Sequence, residues 1–415
     1  NKCIECGFCE VNCMSCGLTL SSRMRIAVQR EIRELETTGK NPERVATLKK
    51  QYKYYGDQTC ATDGLCSTSC PMKINTGELT HIIRQMDMNN NPVGYKVGEF
   101  AANHMAGIKS GLRVVLDVAH LGHVTLGPSM MTSIARGMNK MGLPLWTTAM
   151  PQKHRQPKKS DLTQFIIEKS IPHKEEEHLP LKVVYFPSCI NQTMGQSKFH
   201  GKKHDLVDEV IQLCAKAGYE VIFPEGMERM CCGQIWESKG MLDIADRKSA
   251  ELEAALWKAS EQGKYPVLCA QSPCLHRMKK VMKKMKLYEP AEFIMKYLVP
   301  RLDFHPIDRH IALHLTCSTR QMGVADDLIA LAKMCSNNVY LPEGVGCCGF
   351  AGDRGFTFPE LNKYGLRKLR PQIEKNHIEV GYSNSRTCEI GLESNTGIPY
   401  MNIVYLVHEC TTAKK

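Results

Sequence analysis

The chain opens with Asn1-Lys-Cys-Ile-Glu-Cys-Gly-Phe-Cys-Glu-Val-Asn-Cys13. Within this stretch Cys3, Cys6, Cys9 and Cys13 follow the spacing C-x2-C-x2-C-x3-C, in which three thiolates hold one iron–sulfur cube and the fourth holds a neighbouring cube. A zinc site instead needs two separated pairs of ligands around one tetrahedral ion. The spacing therefore predicts an iron–sulfur centre.

A second cysteine run follows a long insertion, as a second cluster requires. It reads Cys60-Ala-Thr-Asp-Gly-Leu-Cys66-Ser-Thr-Ser-Cys70-Pro71, with Asp63 where a second cysteine is expected. Because the fourth cysteine of each run serves the other cluster, the two runs predict two sets of ligands. Set A comprises Cys3, Cys6, Cys9 and Cys70, and set B comprises Cys13, Cys60 and Cys66.

The fourth corner of set B stays open between Asp63, Cys16 and no protein ligand at all. We favour Asp63, because it occupies the position of the missing cysteine. A corner without a thiolate predicts a labile 4Fe-4S cube that converts to a 3Fe-4S form.

Length and cysteine usage narrow the class of protein. A chain of 415 residues is long enough for two or three domains, each with its own core. Twenty cysteines, including the adjacent pairs Cys231-Cys232 and Cys347-Cys348, are atypical of the small secreted disulfide scaffolds. We therefore expect thiolate–metal chemistry in a cytoplasmic protein, or in one attached peripherally at the inner face of the cytoplasmic membrane. No run of 18 apolar residues occurs, so we expect no transmembrane segment.

The formal net charge of +11 raises the question of an anionic partner. The basic residues lie mostly on expected helical faces, such as Lys279-Lys280 and Lys283-Lys284. Clusters held by four thiolates are anionic and would offset much of this charge. We therefore expect no nucleic-acid partner.

Residues 1–90 are expected to form an α-helical domain that carries two clusters. In the insertion, Ser22 caps a helix that ends at Gly39, and Asn41-Pro42 opens a second helix. A third helix is expected over residues 71–88. The apolar faces expected to be buried are Met24, Val28, Ile32 and Leu35 in the first helix and Leu79, Ile82, Ile83 and Met86 in the third.

Residues 91–150 predict a helical extension, and residues 151–180 predict a charged, proline-bounded linker. The extension should consist of short helices broken at Gly111, Gly122, Gly127 and Gly142. It also holds His104, His120 and His123, which are candidate haem or metal ligands, although ordinary helix histidines are the favoured interpretation.

Beyond the linker, short apolar strands alternate with helices. Residues 183–186 predict a buried strand, for example, and residues 361–373 a helix. The order of elements occurs twice, which predicts parallel α/β layers in two pseudo-repeats, residues 181–300 and 301–415.

Each repeat supplies one cysteine after a strand, an adjacent pair before a glycine, and one more cysteine after a later strand. Set C comprises Cys189, Cys231, Cys232 and Cys274, and set D comprises Cys317, Cys347, Cys348 and Cys388. All of them are expected at the carboxyl ends of parallel strands, where ligand-binding crevices form. Gly233 and Gly349 are expected to let the backbone pass close to a bulky cofactor. Each set therefore predicts a further iron–sulfur site.

These motifs carry a family resemblance. Residues 182–410 resemble the tandem CCG cysteine-rich domains of heterodisulfide reductase subunits and of the iron–sulfur subunits of glycolate oxidase and anaerobic glycerol-3-phosphate dehydrogenase. The whole chain resembles the C-terminal half of fused flavin/iron–sulfur dehydrogenases of the D-lactate and D-2-hydroxyglutarate type. The stretches that carry this likeness are Cys3-Ile-Glu-Cys-Gly-Phe-Cys9, Asp63-Gly-Leu-Cys66, Cys348-Gly-Phe-Ala-Gly-Asp-Arg-Gly355 and Ser385-Arg-Thr-Cys-Glu-Ile-Gly391.

The resemblance implies an α-helical two-cluster ferredoxin domain followed by two α/β CCG domains of the heterodisulfide-reductase type. It implies an oxidoreductase component that passes electrons from a flavin to a quinone or another carrier. The FAD is expected in a domain upstream of Asn1 or in a partner subunit, so this chain should contain no catalytic acid or base. Two alternatives remain: a heterodisulfide-reductase-like enzyme, and a zinc-bearing structural or nucleic-acid-binding protein.

Two positions depart from the heterodisulfide reductase pattern. Its cysteine-rich domains end in C-x2-C, but the first cysteine is replaced here by Gln271 in one repeat and by Ser385 in the other. A five-thiolate non-cubane cluster is therefore not expected, unless Cys269 substitutes in the first repeat.

Overall fold

The chain is a mixed α/β protein. The computed structural model describes residues 2–141, 144–154, 181–197, 200–201 and 204–414. Its strands are β1 (Pro151–Lys153), β2 (Leu181–Tyr185), β3 (Met194–Ser197), β4 (Tyr219–Ile222), β5 (Val267–Leu268), β6 (Leu287–Tyr288), β7 (Leu302–Phe304), β8 (Ile307–Leu313), β9 (Ser336–Tyr340), β10 (Val380–Tyr382), β11 (Tyr400–Met401) and β12 (Thr411–Ala413).

The first part of the chain is helical. It contains α1 (Ser22–Thr38), α2 (Pro42–Tyr52), α3 (Thr76–Asn89), α4 (Pro92–Asn103) and α5 (Met105–Lys140), with a π turn over Lys53–Gln58. The later α-helices are Leu206–Lys216, Gln234–Ser238, Leu242–Ala259, Ser272–Val281, Pro290–Phe293, Cys317–Gln321, Ala325–Cys335, Arg354–Thr357, Pro359–Gly365, Leu369–Lys375, Arg386–Thr396 and Ile403–Glu409.

Two four-stranded sheets have the same topology. Strands lie in the order β4-β2-β5-β6 in one sheet and β9-β8-β10-β11 in the other, and every pair of neighbours is parallel. In the first sheet β4 lies on one side of β2, and β5 and β6 lie on the other. In the second sheet β9 lies on one side of β8, and β10 and β11 lie on the other. The carboxyl ends of the strands in each repeat therefore meet at one edge of its sheet.

The two repeats share one apolar core. A single buried cluster contains Tyr185 and Leu213 of the first repeat together with Tyr382 and Leu406 of the second. The antiparallel pair of β7 with β12 then joins the beginning of the second repeat to the end of the chain.

The helical part packs against both repeats, but with different segments. Trp236 Nε1 in the first repeat donates to the carbonyl of Gly98 at 3.1 Å. Earlier residues of the helical part contact the second repeat. The Tyr364 hydroxyl donates to the carbonyl of Cys16 at 3.1 Å, and Arg354 Nη1 donates to the carbonyl of Gln58 at 3.3 Å. Residues 14–64 thus lie against the repeat that is farther away in sequence. Among the described residues, no helix has the length and apolar character needed to cross a bilayer.

The caps of α1 and α2 place the cysteine runs. Ser21 Oγ, rather than the predicted Ser22, accepts from the backbone N–H of Met24 at 3.3 Å, and Gly39 ends α1 with a φ of 64°. At α2, Asn41 Oδ1 accepts from the N–H of Arg44 at 3.2 Å. The cap is one residue earlier than predicted because Ser21 has the extended backbone that a capping residue requires.

The apolar faces predicted for α1 and α3 are only partly buried. Met24 and Ile82 are exposed, whereas Arg25 and Arg84 are buried. Arg84 Nε pairs with Asp57 Oδ1 at 2.6 Å, and its other nitrogens donate to backbone carbonyls. Both arginines turn inward because buried acceptors satisfy their guanidinium groups.

Of the helix breaks predicted within residues 105–140, those at Gly111 and Gly122 are wrong and the one at Gly127 is confirmed. The helix α5 continues through Gly111 and Gly122, because glycine weakens a helix without ending it. It kinks at Gly127, whose φ is 76° and ψ 167°, and Pro128 follows at once with no N–H to donate. Gly142 lies outside the described residues.

Two other predicted segments differ in detail. The helix expected over 361–373 is divided into Pro359–Gly365 and Leu369–Lys375. Residues 151–153 of the expected linker form β1, which pairs antiparallel with β3, and the rest of that segment after 154 lies outside the described residues.

Candidate functional site

The four cysteines of set A line one cavity. Its wall is formed by Cys3, Cys6, Cys9 and Cys70 together with Arg23 and neighbouring residues. Gly7, between the second and third of these cysteines, has a φ of 85°, which turns the backbone around the cavity. Burial and the nearby thiols, Cys66 first, raise the pKa of Cys9 to about 11. Cys9 therefore lies between set A and set B.

Set B surrounds the first turn of α1. The Ser22 side chain hydrogen-bonds to both Cys13 and Cys66, and Arg25 Nη1 donates to Cys13 Sγ at 3.7 Å. Burial opposes ionisation, but Arg25 and the hydroxyls of Ser15 and Ser22 outweigh it and lower the pKa of Cys13. Arg25 also interacts electrostatically with Cys60. Cys13 and Cys60 thus share one buried cation.

The two candidates for the fourth corner of set B have different surroundings. Cys16 interacts electrostatically with Glu10, Cys13 and Arg23. Asp63 Oδ1 accepts from the N–H of Leu65 at 3.0 Å, and its carboxylate interacts with Cys347 of set D. That Asp63 completes set B stays a prediction.

The thiols of set C influence one another's ionisation. Each affects the pKa of the next in the order Cys189, Cys231, Cys232 and Cys274. Cys189 follows β2, the adjacent pair precedes the helix Gln234–Ser238, and Cys274 lies in the first turn of the helix Ser272–Val281. The contact with Cys231, and then burial, raise the pKa of Cys189 well above its ordinary value.

A lysine of the helical part lies beside set C. Lys109 of α5 is only 3% exposed, and its Nζ donates to Gln192 Oε1 at 2.9 Å and to the carbonyl of Met227 at 3.3 Å. Burial lowers the pKa of Lys109, while Cys189 and Cys231 oppose that change. A buried ammonium next to thiols is suited to offset the charge of thiolates.

Set D has the same arrangement. Its thiols affect one another's pKa in the order Cys317, Cys347, Cys348 and Cys388, and Cys348 Sγ donates to Cys388 Sγ at 3.0 Å. The backbone N–H of Gly349 points to Cys347 Sγ, and that of Phe350 to Cys348 Sγ, each at 3.4 Å. The contact with Cys347, burial and the charge of Asp63 together raise the pKa of Cys317.

The two residues that replace the missing cysteines contact each other. Gln271 Nε2 donates to Ser385 Oγ at 3.1 Å, and Gln271 Oε1 accepts from the N–H of Arg386 at 3.0 Å. Both side chains are buried between the repeats. Their hydrogen bonds join the two repeats. Cys269, the possible substitute ligand, is buried near Cys274 and Cys232.

The glycines after the cysteine pairs are needed for packing. A Cβ on Gly233 would lie 2.3 Å from the carbonyl oxygen of Ala245, and one on Gly349 would lie 2.9 Å from that of Leu361. Their φ values are 87° and 73°. A left-handed turn and a neighbouring helix therefore require glycine at both positions, and the close approach to a cofactor stays a prediction.

The chemistry of these donors fits iron–sulfur clusters. In the described part of the chain, no three His, Cys, Asp or Glu side chains are arranged to hold a metal ion. The thiols are instead spread in sets of three or four, and each iron of a cube takes its own thiolate. Backbone N–H groups directed at sulfur and buried cations are typical surroundings of such clusters.

The three histidines of the extension lie apart from these sets. His104 stacks on Phe100 with ring centroids 4.1 Å apart, and His123 packs edge-on against Trp146 at 4.9 Å. His120 is half-buried in α5.

Sequence reasoning missed three buried basic residues: Arg25 and Lys109, which interact with cysteines of sets B and C, and His314. Arg25 could have been found from the sequence, because it is a basic residue within the apolar pattern of α1. His314 follows β8, three residues before Cys317, which is a position where functional side chains are common.

Comparisons with known proteins assign no family. No protein-family model matches the sequence, and no curated protein matches it. Among solved structures, the chain is similar to Picrophilus torridus aspartate racemase at 9% identity and a TM-score of 0.27, over 55% of this chain and 90% of the racemase. A TM-score of that size indicates neither a shared fold nor a shared activity.

Proposed function

We propose that this chain is the iron–sulfur electron-transfer part of a flavin-dependent 2-hydroxyacid dehydrogenase. One observation supports the proposal: three of the four cysteine sets lie within electrostatic range of one another. Cys9 of set A interacts electrostatically with Cys66 of set B, and Asp63 interacts with Cys66 and with Cys347 of set D. Electrons pass singly only between redox centres that lie close together. Structural zinc sites do not need to lie close to one another.

The residues of this chain would hold and tune the centres. A bound cluster supplies one-electron redox capacity, which a 2-hydroxy acid cannot use without a flavin, since it gives up two electrons as a hydride. The cysteines of sets A to D would be the ligands, with Arg25 and Lys109 offsetting their negative charge. No side chain of the chain is assigned to proton abstraction. FAD would be held upstream or by a partner, and a quinone or another carrier would receive the electrons.

The proposal is tested by anaerobic reconstitution, iron and sulfide analysis, and low-temperature EPR. The chain alone should be brown, reducible by dithionite, and inert toward D-lactate, glycolate and D-2-hydroxyglutarate. Joined to its flavin domain, it should bleach when one of these acids is added without oxygen. A colourless zinc protein would contradict the proposal, and so would bleaching of the flavin-free chain by a hydroxy acid.

The heterodisulfide-reductase alternative has weaker support. The hydrogen bond between Gln271 and Ser385 occupies both positions where that family has an additional cysteine. A disulfide reductase assay on the reconstituted, dithionite-reduced chain separates the two functions, because the electron-transfer proposal expects no turnover.

A further inference from the structure

A buried network of hydroxyl groups joins the two repeats. Its members, each at most 5% exposed, are Ser272 of the first repeat and Thr316, Ser318 and Thr319 of the second. Ser272 lies two residues before Cys274 of set C. Thr316 and Ser318 lie on either side of Cys317 of set D. This hydroxyl network therefore connects a segment of set C to a segment of set D.

Glu289 places a carboxyl group against the hydroxyl network. Its side chain is fully buried, and Thr319 Oγ1 donates to its Oε1 at 2.7 Å. Glu289 Oε2 has no hydrogen-bond partner in the described part of the chain. The buried Asn384 amide, whose oxygen and nitrogen also lack partners there, lies close enough to affect the pKa of Glu289. An ionised Glu289 would thus be a buried charge with only one of its oxygens bonded, which is unfavourable.

The hydroxyl network has too few protons for its geometry. Ser272 Oγ lies within 3.1 Å of each of the other hydroxyl oxygens. Thr316 Oγ1 in turn lies within 3.0 Å of those of Ser318 and Thr319. Each hydroxyl carries a single proton, so the close oxygen pairs outnumber the protons that can bridge them. A proton on Glu289 adds a donor at this position, and the geometry therefore favours the neutral acid.

The charged groups near Glu289 do not replace that proton. Glu289 itself has no ion-pair partner among the residues that the structure describes, because Lys279 Nζ pairs with Glu292 instead, at 2.8 Å. Asp327, on the helix packed against this pair, interacts electrostatically with both of its members. Cys269, after β5, lies within electrostatic range of Glu289 and adds no positive charge.

The remaining elements around Glu289 direct their charges elsewhere. Arg320, one residue after Thr319, is exposed and donates to a backbone carbonyl. His408 and Glu409, at the end of the last helix, form ion pairs with residues of other elements. Burial therefore raises the pKa of Glu289 to about 7, although the polar side chains around it oppose this rise.

We propose that Glu289 is a proton site coupled to electron transfer at sets C and D. When an electron from the reduced flavin reaches a neighbouring centre, the carboxylate takes up one proton from water and becomes the neutral acid. Oxidation of the centre releases the electron and the proton together. The coupling arises because added negative charge disfavours a nearby carboxylate and so raises its pKa. The inference rests on the proposed electron-transfer function and adds a proton to its electron.

Infrared difference spectroscopy of the reconstituted full chain detects this proton. In the oxidised chain the carbonyl band of a protonated carboxyl should be present at about pH 6 and lost at about pH 8, and reduction by dithionite at the higher pH should restore it. Glu289→Gln should abolish these changes. Glu34→Gln alters an exposed glutamate on α1 and is the matched control that should retain them.

Redox titration followed by EPR measures the coupling itself. The potential of the coupled centre should be constant below about pH 7 and fall above it by up to tenfold in the equilibrium constant, or about 59 mV, per pH unit. In Glu289→Gln the potential should not depend on pH over this range. Thr319→Val removes the hydrogen bond to Oε1, which stabilises the ionised form, so the fall should begin at higher pH.

A potential that is independent of pH in the wild type would overturn the inference, and so would infrared changes that persist in Glu289→Gln. Circular dichroism verifies folding, and iron and sulfide analysis verifies that each variant carries its clusters. If Glu289→Gln does not fold, the direction of the shift in Thr319→Val decides. Clusters that exchange electrons without a proton contradict this inference alone. A chain that takes up no iron contradicts the electron-transfer function, and the coupling with it.

Discussion

Set C and set D occupy equivalent places in two repeats of the same topology, yet their charged neighbours are opposite. Lys109 of α5 lies beside Cys189 and Cys231 in set C, whereas Asp63 lies beside Cys317 and Cys347 in set D. Neither neighbour belongs to a repeat. The helical part thus makes two similar sites unequal.

The difference has an expected electronic effect. The reduction potential of an iron–sulfur centre depends on the net charge and hydrogen bonds around it. A cation stabilises the added electron and an anion opposes it. Set C should therefore have the higher potential of the two.

The largest effect should come from removing one ligand in either repeat. Cys231→Ser should eliminate the centre of set C and Cys348→Ser that of set D, because each repeat has its own four thiols. Iron and sulfide analysis with EPR measures the loss. Cys214→Ser changes a buried cysteine of the helix Leu206–Lys216 outside the sets and should retain all iron. If one repeat is iron-free in the wild type, the comparison between them fails.

The next effect concerns Asp63 and the loss of one iron. A carboxylate is a harder ligand than a thiolate, so set B should lose iron first in air and show a three-iron EPR signal. Asp63→Cys should suppress that signal. If Cys16→Ser damages the cluster and Asp63→Ala leaves it intact, Cys16 is the fourth ligand and Asp63 belongs to set D alone.

A smaller effect is expected at the junction between the repeats. Gln271→Ala removes two buried hydrogen bonds and should lower the free energy of unfolding by ~1–3 kcal/mol. Ser385→Ala removes the bond to Gln271 and the longer contact with Thr387 at 3.3 Å but keeps the bond from the N–H of Arg386, so it should cost less. The midpoint of urea unfolding reports both changes. An equal loss for the two variants would mean that only their mutual bond matters.

The smallest effect tests the charges directly. Lys109→Met should lower the potential of set C, and Asp63→Asn should raise that of set D, each by about 70 mV. The figure corresponds to ~1.7 kcal/mol for unit charges about 10 Å apart at an effective dielectric constant of about 20. Redox titration followed by EPR measures the shifts. Shifts of the same sign in both variants would contradict the electrostatic account.

The sequence predicted local features better than long-range ones. Alternation of strands with helices predicted parallel layers, and every strand pair in the two large sheets is parallel. Because the fourth cysteine of each run serves the other cluster, the spacing assigned Cys70 to set A. Cys70 and Cys3 line the same cavity in the structure. Both predictions depend on residues close together in sequence or on a fixed spacing.

The failures have a common physical origin. Periodicity assigns the apolar face of α1 to the core, but the core near set B contains thiols that require a cation, so Arg25 is buried and Met24 is exposed. The contact of Asp63 with Cys347 depends on how distant segments pack, which no spacing encodes.

The packing of residues 14–64 on the second repeat has a consequence for synthesis on the ribosome. Asp63 and Cys347 are separated by 284 residues. At ~5–20 residues per second, the early cysteines wait roughly 15 to 60 s before their partner surface emerges. During that interval their thiols are open to oxidation and to the wrong metal. Assembly factors that deliver iron and sulfide are therefore expected to act after residue 347 has emerged, or to protect the nascent residues 14–64 until then.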